Sequence, residues 1–339
     1  MADFVFLVCS ERSGSNFITS LMNGHTAVCG PPPTHLFRLF ASNMDRYGDL
    51  EQDGNWAQLT NDMAEAFATM LGDWNSAIDA NELATATTTR SSAALLRYIY
   101  EKEAALDGAS QIFVKENHTH LFAPFLMAHF PQCRFLALVR DPRDVALSWK
   151  NTPTIPGGIA QAVNTWLADQ SGALSLYHQL RGSGRCRLVR YEDLLQDTEA
   201  KLGTVLSWMD LRYSADILQF HRDKRTRRNA SRISAWDNLG TGVMHNNHAK
   251  YLTGLSPDEI RYIELRCAHL MRVFDYPLSE ADESADEGVR QAQICQLEAL
   301  LDPGEYALEP AESAIRQKRL DTIRKILNRR PACLIPAAH

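Results

Sequence analysis

The chain has 339 residues, which is long enough for one large α/β domain with additions or for two domains. Hydrophobic residues make up 45% of it and charged residues 22%, as in an ordinary soluble globular protein. Its formal net charge of −6 excludes a global basic field for nucleic acid, so we expect no nucleic-acid partner.

Cysteine usage and the N-terminus favour a reducing compartment. The seven cysteines are scattered and odd in number, and no Cys-x-x-Cys pair occurs, which argues against a disulfide framework and a structural zinc site. No basic residue precedes the first apolar run, and no segment reaches about 18 consecutive apolar residues. We therefore expect a cytoplasmic protein with no transmembrane segment and no metal site.

Four short apolar runs predict buried strands of a parallel sheet. Each run is followed by polar residues and then by a helical pattern, which is the rhythm of an α/β fold. The runs are Phe4–Val8, Ile112–Val114, Phe135–Val139 and Cys186–Val189. The sequence therefore predicts an α/β fold in which helices flank a central parallel sheet, with helical insertions.

Helical periodicity is clearest in residues 51–107, 158–180 and 256–276. In the first of these stretches, the spacing predicts one apolar face made of Trp56, Met63, Phe67 and Leu71. The third begins with Ser256 and Glu259 at the spacing of a capping box, with a proline at the first helical position.

The composition changes after Pro277. The acidic run SEADESADE predicts a solvated linker, so we expect one domain over 1–278 and a linker with a basic helical extension over 279–339. Residues 315–330 are rich in arginine and lysine, and an apolar face is formed by Leu320, Ile323, Ile326 and Leu327. We favour a helix docked on the body. The alternative is an amphipathic helix that makes peripheral contact with an anionic membrane or a partner.

The loop after the first strand has the composition of a phosphate cradle. It reads Ser10-Glu11-Arg12-Ser13-Gly14-Ser15, and the helix that follows ends at Asn23-Gly24. Small residues let backbone N–H groups approach an anion, a helix N-terminus attracts it, and Arg12 adds charge-assisted hydrogen bonds. The loop has neither the Gly-Lys-[Ser/Thr] of a Walker A motif nor the G-x-G-x-x-G of a dinucleotide site. The alternative is an ordinary serine-rich turn.

A second stretch, RFLALVRDPRDVALSWKN at 134–151, has the same strand–loop–helix pattern. Arg140 lies at the carboxyl tip of the strand, where open α/β sheets bind ligands. Asp141 and Pro142 are suited to begin a helix, and Ser148 lies two turns into it. The alternative is that Arg140, Arg143 and Asp144 form surface ion pairs, which stabilise little.

Three segments together carry a family resemblance: R-S-G-S after the first strand, R-D-P-R-D-V-A-L-S after a later strand, and R-Y-E-D-L-L after Val189. In this order they resemble the sulfotransferases that use 3′-phosphoadenosine-5′-phosphosulfate. The resemblance extends over residues 4–276. It implies a P-loop-nucleotide-hydrolase-like fold and metal-independent, in-line transfer of a sulfuryl group from that donor to a hydroxyl or amine acceptor.

The resemblance also implies which residues bind the donor. The 5′-phosphosulfate loop corresponds to Arg12, Ser13, Gly14, Ser15 and Asn16. The 3′-phosphate segment corresponds to Arg140 and Ser148, and Tyr191 would support the nucleotide. Residues 224–250 lie where the family often closes over the nucleotide, which makes Arg228 and Ser231 further candidates. Arg12 would also stabilise charge that develops during transfer.

Three residues are candidates for the base that takes the acceptor's proton. His35 lies in a stretch like the family's P-P-E-x-H, but Pro33 stands where the glutamate would fall. His118 resembles the histidine of a K-T-H segment, with one extra residue after Lys115. Glu116 would serve if burial raised its pKa. We rank His35 ahead of His118, and Lys115 would neutralise charge on the sulfate or the leaving group.

Two other functions stay open. A P-loop-like kinase or nucleotide hydrolase would need a lysine in the first loop and an acidic residue for Mg²⁺. A nucleotide-binding adaptor would bind the nucleotide without turnover. The sequence indicates neither the oligomeric state nor which small-molecule, carbohydrate or lipid-linked acceptor is used.

Overall fold

The structure, a computed structural model, describes residues 2–232, 236, 239–279, 286–304, 307 and 310–329. Within them a parallel sheet of five strands has the order β2-β3-β1-β4-β5. The strands are β1 (Asp3–Cys9), β2 (Val28–Cys29), β3 (Gln111–Lys115), β4 (Arg134–Val139) and β5 (Cys186–Arg190). The predicted α/β fold is confirmed, and the four predicted strands agree with β1, β3, β4 and β5 to within a residue or two at each end.

Fifteen α-helices surround the sheet in the described residues. They are α1 (Ser15–Asn23), α2 (Leu36–Ala41), α3 (Asp53–Ala68), α4 (Ala80–Thr85), α5 (Ser92–Asp107), α6 (Thr119–His129), α7 (Pro142–Lys150), α8 (Gly158–Leu180), α9 (Tyr191–Gln196), α10 (Thr198–Trp208), α11 (Lys224–Arg232), α12 (Tyr251–Gly254), α13 (Pro257–Val273), α14 (Glu287–Glu298) and α15 (Pro310–Leu327). Short 3₁₀ helices occur at Met44–Arg46, Arg181–Ser183 and Ala215–Arg222.

Strand β1 shows why this sheet is buried on both faces. Its side chains alternate between the faces, so Phe4 and Phe6 enter one core while Val5 and Leu7 enter the other. The first core lies under α2, α3, α5 and α6, and the second under α1, α9 and α10. With apolar residues on both sides, the strand has the continuous hydrophobic run of a buried parallel sheet.

The helix predictions are partly confirmed. The stretch 158–180 is one helix with those bounds, and α13 begins with the predicted Ser256–Glu259 capping box. The stretch 51–107 is three helices, α3, α4 and α5, with loops between them. Leu71 was predicted to continue the face of Trp56, but it lies beyond the end of α3 and lines a cavity instead.

The strand order creates a crevice at the carboxyl edge of the sheet. From β1 the chain runs to β2 and β3 on one side, and then to β4 and β5 on the other side. Ligands of open α/β sheets bind where the strand order reverses in this way. Because all five strands are parallel, the loops that follow β1, β3, β4 and β5 meet at this edge.

The C-terminal helices pack on the body. Ile294 of α14 is buried in the core with α13, and Ile326 of α15 is fully buried in the core that contains α3. Ile323 is half-buried, whereas Leu320 and Leu327 are 43% and 40% exposed, so the apolar face is narrower than predicted. The docked helix is therefore observed. The acidic run falls mostly at 280–285, outside the described residues, and the boundary at 278 stays a prediction.

Within the described residues, no helix combines the length and the apolar character needed to cross a membrane. The cysteines of the described part, six in number, are free thiols, and Cys333 lies outside it.

Candidate active site

A cavity of about 500 Å³ lies at the carboxyl edge of the sheet. Its wall comes from the loops after β1, β3 and β4, from α7, from Trp236 and the segment 239–250, and from α15. The charged side chains of the wall are Glu11, Arg12, Lys115, Arg140, Asp144, Lys250 and Arg316. Positive groups outnumber negative ones, so the cavity attracts anions.

The loop between β1 and α1 has the backbone of an anion cradle. Gly14 has φ +86°, and a Cβ at this position would lie 2.3 Å from Cε2 of Tyr191, so only glycine fits. Gly14, Ser15 and Asn16 line the cavity at the N-terminus of α1. Ser13 is fully buried behind the wall, and its hydroxyl has no hydrogen-bond partner in the described part of the chain.

Arg12 and Arg140 connect the two sequence motifs. Nε of Arg12 donates a hydrogen bond to Oγ of Ser148 at 3.0 Å, and Nη1 of Arg140 donates to the Arg12 carbonyl at 3.0 Å. Neither guanidinium forms an ion pair with a carboxylate of the described residues. Burial lowers the pKa of Arg12, and the neighbouring Arg140 lowers it further. Two adjacent cations, the half-buried Arg12 and the buried Arg140, have no anionic partner in that part of the chain and are suited to bind an anionic ligand.

The other charges of the RDPRD segment are structural. Asp141 accepts a hydrogen bond from the Arg143 backbone N–H and caps α7, as predicted. The Arg143 side chain is only 2% exposed and forms ion pairs with Asp141 at 2.7 Å and Glu264 at 2.6 Å. The alternative of surface ion pairs is therefore wrong for this arginine, because its carboxylate partners are buried with it.

Asp144 fixes the end of the 224–250 segment, where sequence reasoning singled out Arg228 and Ser231 but not Asn247 and Lys250. Its carboxylate accepts hydrogen bonds from the backbone N–H groups of Ala249 at 2.6 Å and Tyr251 at 3.0 Å. This holds Asn247 and Lys250 at the cavity wall. Neither residue belongs to a sequence motif. Both lie in a loop more than a hundred residues after Asp144 and reach the cavity only through the fold.

The Tyr191 side chain packs against the loop between β1 and α1. Its ring lies 4.5 Å from the Arg140 guanidinium carbon, and its hydroxyl accepts a hydrogen bond from Nδ2 of Asn247 at 2.8 Å. The ring also occupies the space beside Gly14. Tyr191 therefore contacts three parts of the site at once: the loop after β1, Arg140 at the end of β4, and Asn247.

His35 lines the cavity and has a buried carboxylate beside it. It precedes α2 with φ +58°, and its Nδ1 lies 3.5 Å from Oε2 of Glu116. Glu116 is fully buried and accepts hydrogen bonds from Thr34 Oγ1 at 3.2 Å and the Tyr100 hydroxyl at 3.3 Å. Glu116 thus stands near the histidine although Pro33 replaces the glutamate of the motif. Burial lowers the pKa of His35, which Glu116 partly opposes.

Lys115 also lines the cavity. It is the last residue of β3, and burial lowers the pKa of its ammonium group. The nearby Glu11 and Glu116 carboxylates oppose this effect, whereas Arg12 adds to it.

His118 lies apart from these groups. Its Nδ1 is 2.8 Å from Oδ1 of Asp169, and Nδ1 of His120 is 3.4 Å from the same oxygen. Among the described residues that line the cavity, His118 does not occur, although its neighbour Asn117 does.

The structure does not bring Arg228 and Ser231 to the cavity. Both are exposed residues of α11, where Nε of Arg228 pairs with Asp73 at 2.7 Å and the Ser231 hydroxyl donates to the Arg228 carbonyl. Trp236 and Leu239, which follow this helix, line the cavity instead. Arg316 of α15 is a further wall residue that no sequence motif marks.

Within the described part of the chain, no cluster of three or more His, Cys, Asp or Glu side chains could hold a metal ion.

The sheet order and the site define the class of protein. A parallel sheet of this order, with a cradle-like loop after β1 and a second cationic side chain at the end of β4, is a P-loop-like α/β fold with a cationic cavity where its strand order reverses. The chain belongs to the sulfotransferase family. The family model described as "Sulfotransferase family" matches residues 4–215.

Individual relatives are distant. The chain is 25% identical over 116 residues to a putative protein-tyrosine sulfotransferase of Caenorhabditis briggsae, a match that covers 33% of this chain and 41% of the relative. Two solved structures share the fold at 18% identity: the sulfotransferase domain from the curacin biosynthetic pathway, with TM-score 0.58, and that from the Synechococcus PCC 7002 olefin synthase, with TM-score 0.59. Each match covers 82% of this chain, with 99% and 97% of the respective domains.

Proposed function

We propose that the protein transfers a sulfuryl group from 3′-phosphoadenosine-5′-phosphosulfate to a hydroxyl or amine acceptor. The observation that carries this proposal is the pair Arg12 and Arg140. These two cations, one half-buried and one buried, follow β1 and β4, line one cavity and have no carboxylate partner in the described residues. A donor with anionic groups at both its 5′ and its 3′ position needs two such sites. Membership of the sulfotransferase family supplies the reaction class.

The residues present fit the donor. The N–H groups at the start of α1, the Ser15 hydroxyl and Arg12 would hold the 5′-phosphosulfate, and Gly14 lets the backbone approach it. Arg140 and Ser148 would hold the 3′-phosphate. The unpartnered Nε of Arg140 is a donor that such an anion would satisfy. When bound, the donor supplies the activated sulfuryl group.

His35 is the proposed general base. Its Nδ1 faces Glu116, which leaves Nε2 to take the proton of the acceptor. Because burial lowers the pKa of this imidazole, it is neutral at pH 7 and able to accept a proton. Glu116 orients the ring and stabilises the imidazolium that forms, as a carboxylate does beside a histidine base.

Arg12 and Lys115 are proposed to stabilise the charge that develops during transfer. Lys115 is buried and Arg12 is half-buried at the cavity wall, where cations act more strongly than in water. Positioning and electrostatic stabilisation account for most of the catalysis in transfers of this type, and these two side chains are proposed to supply the positive charge.

Transfer of radioactive sulfate from the labelled donor to a panel of hydroxyl and amine acceptors tests the proposed activity. Arg12→Ala should reduce the rate by at least about 100-fold, because it removes a donor to the developing charge. Arg272→Ala is the matched control, since Arg272 is an exposed arginine of α13 away from the cavity. Equal rates for Arg12→Ala and wild type would refute the role of this site.

A second pair of variants tests the base. His35→Gln should lower the rate by about 100-fold or more, whereas His118→Gln should lower it by less than about tenfold. The reverse order would assign the base to His118 and its partner Asp169.

A further inference from the structure

Helix α15 lies outside residues 4–215, which the family model matches, yet two of its arginines reach the region of the active site. Arg316 is part of the cavity wall. Arg319, one turn further along the helix, is 7% exposed and lies beside the loop that carries His35. The helix is docked on α3 by the buried Ile326, and Arg329, just after the end of the helix, forms an ion pair with Asp62 at 2.7 Å.

The contacts of Arg319 are unusual for a buried arginine. Nη2 donates a hydrogen bond to the Thr34 carbonyl, and Nη1 donates to the Ala66 carbonyl at 3.3 Å. No carboxylate of the described residues forms an ion pair with it. Burying a guanidinium without an ion pair is unfavourable, and a methionine would fill the same space at lower cost. We therefore expect Arg319 to have a role beyond packing, one that uses its charge and its hydrogen bonds.

The Thr34 carbonyl belongs to the segment that places the proposed base. Thr34 precedes His35, whose φ of +58° is uncommon for a residue other than glycine and must be held by its surroundings. The Thr34 hydroxyl also donates to Oε1 of Glu116 at 3.2 Å and accepts the Leu36 backbone N–H. Arg319 thus holds the backbone of a residue that contacts both members of the His35–Glu116 pair.

The charge of Arg319 acts on the same pair. The charged groups that affect His35 are Glu116 and Lys115 at the end of β3 and Arg319 from α15. Burial lowers the pKa of His35 most, Glu116 raises it, and Lys115 and Arg319 lower it further. The helix therefore contributes a positive charge that opposes protonation of the imidazole, in addition to the larger effect of burial.

We propose that Arg319 is a positioning residue of this active site: it fixes the Thr34–His35 backbone and places a positive charge beside the His35–Glu116 pair. This inference rests on the proposed role of His35 as the base. It makes the C-terminal helix part of the catalytic unit, although the family match ends about a hundred residues before it.

The test is an NMR titration of the histidine Cε1–H signals of the full chain, with the His35 signal assigned by its loss in His35→Gln. Arg319→Met removes the charge and should move the titration of His35 to higher pH. Arg319→Lys keeps the charge and should leave it close to that of wild type. Arg324→Ala is the matched control, because Arg324 is a 65% exposed arginine of the same helix whose partner is Asp321.

Arg319→Gln retains an amide donor for the Thr34 carbonyl and is the second neutral variant if Arg319→Met does not fold. An unchanged His35 titration in either folded neutral variant would overturn the inference. So would a shift in Arg319→Lys as large as that of the neutral variants, since it would mean that the shift reflects disrupted packing.

Calorimetric binding of 3′-phosphoadenosine 5′-phosphate is measured for the same proteins. We expect the affinity of Arg319→Met for this nucleotide to be within about twofold of that of wild type, because Arg319 is not part of the anion sites. A tenfold loss of affinity would contradict a role confined to the base. Failure of wild type to bind the nucleotide would instead refute the proposed function. The His35 titration is measured without nucleotide, so it tests the role of Arg319 separately.

Discussion

Replacing Gly14 by alanine tests the cradle at its most constrained point. Gly14 has φ +86°, and the added Cβ would lie 2.3 Å from Cε2 and 2.4 Å from Cδ2 of Tyr191. The Tyr191 ring cannot simply swing away, because it is buried, packs against the Arg140 guanidinium and accepts a hydrogen bond from Asn247. The substitution therefore combines backbone strain with overpacking.

The expected loss of stability follows from these two terms. A non-glycine residue in the left-handed region costs about 1–2 kcal/mol, and an overpacked contact costs about 1–3 kcal/mol. We therefore expect Gly14→Ala to lower the free energy of unfolding by about 2–5 kcal/mol, within the usual total of about 5–15 kcal/mol. Because Tyr191 must move away from Arg140, we also expect at least about tenfold weaker binding of 3′-phosphoadenosine 5′-phosphate, equivalent to about 1.4 kcal/mol.

Urea denaturation measures the stability of the variant, and isothermal titration calorimetry measures its affinity for the nucleotide. Gly203→Ala is the matched control: Gly203 lies inside α10, and a Cβ there meets nothing within 4 Å. That control should gain about 0.5–1 kcal/mol, as expected for alanine in a helix interior. A loss below about 1 kcal/mol for Gly14→Ala, with unchanged affinity, would refute the reasoning.

Three further changes test other parts of the site. Asp144→Ala should weaken nucleotide binding about tenfold by calorimetry, because two backbone N–H groups of the 249–251 segment lose their acceptor; unchanged affinity would contradict this. Arg143→Met leaves two buried carboxylates unpaired and should destabilise the protein by about 3–5 kcal/mol in urea; a loss under about 1 kcal/mol would not fit. Burial lowers the pKa of His35 below 6.5, so the unfolded chain binds more protons there and stability falls as pH drops through 6.5. His35→Gln should make this loss of stability smaller. Urea denaturation midpoints of wild type and the variant, measured at about pH 7 and about pH 5, test this, and an equal loss in both proteins would contradict it.

The sequence was most informative where one local pattern determines the structure. The strand run Phe4–Val8 and the capping box at Ser256 depend on neighbouring residues alone, and both are confirmed. The two-residue strand β2 was missed, because Val28 and Cys29 are too few to form a pattern and depend on pairing with β3. Leu71 fitted a helical face, but α3 ends before it.

The anion loops were predictable because each lies between a strand and the helix that follows it. The carboxylate beside His35 was not predictable, since Glu116 directly follows β3, some eighty residues away along the chain. Asn247, Lys250 and Arg316 also reach the cavity only through tertiary packing. Arg228 fitted a basic segment of the right kind, yet an ion pair with Asp73 holds it elsewhere.

The measurement that tests the central claim most directly compares 3′-phosphoadenosine 5′-phosphate with adenosine 5′-phosphate by isothermal titration calorimetry. The two ligands differ only in the 3′-phosphate. Charge-assisted hydrogen bonds from Arg140 are worth about 1.5–3 kcal/mol, so the 3′-phosphorylated ligand should bind wild type about 10–100-fold more tightly, and Arg140→Met should abolish the difference. Equal affinities in wild type, or tighter binding of ADP with Mg²⁺, would contradict the account and favour a kinase.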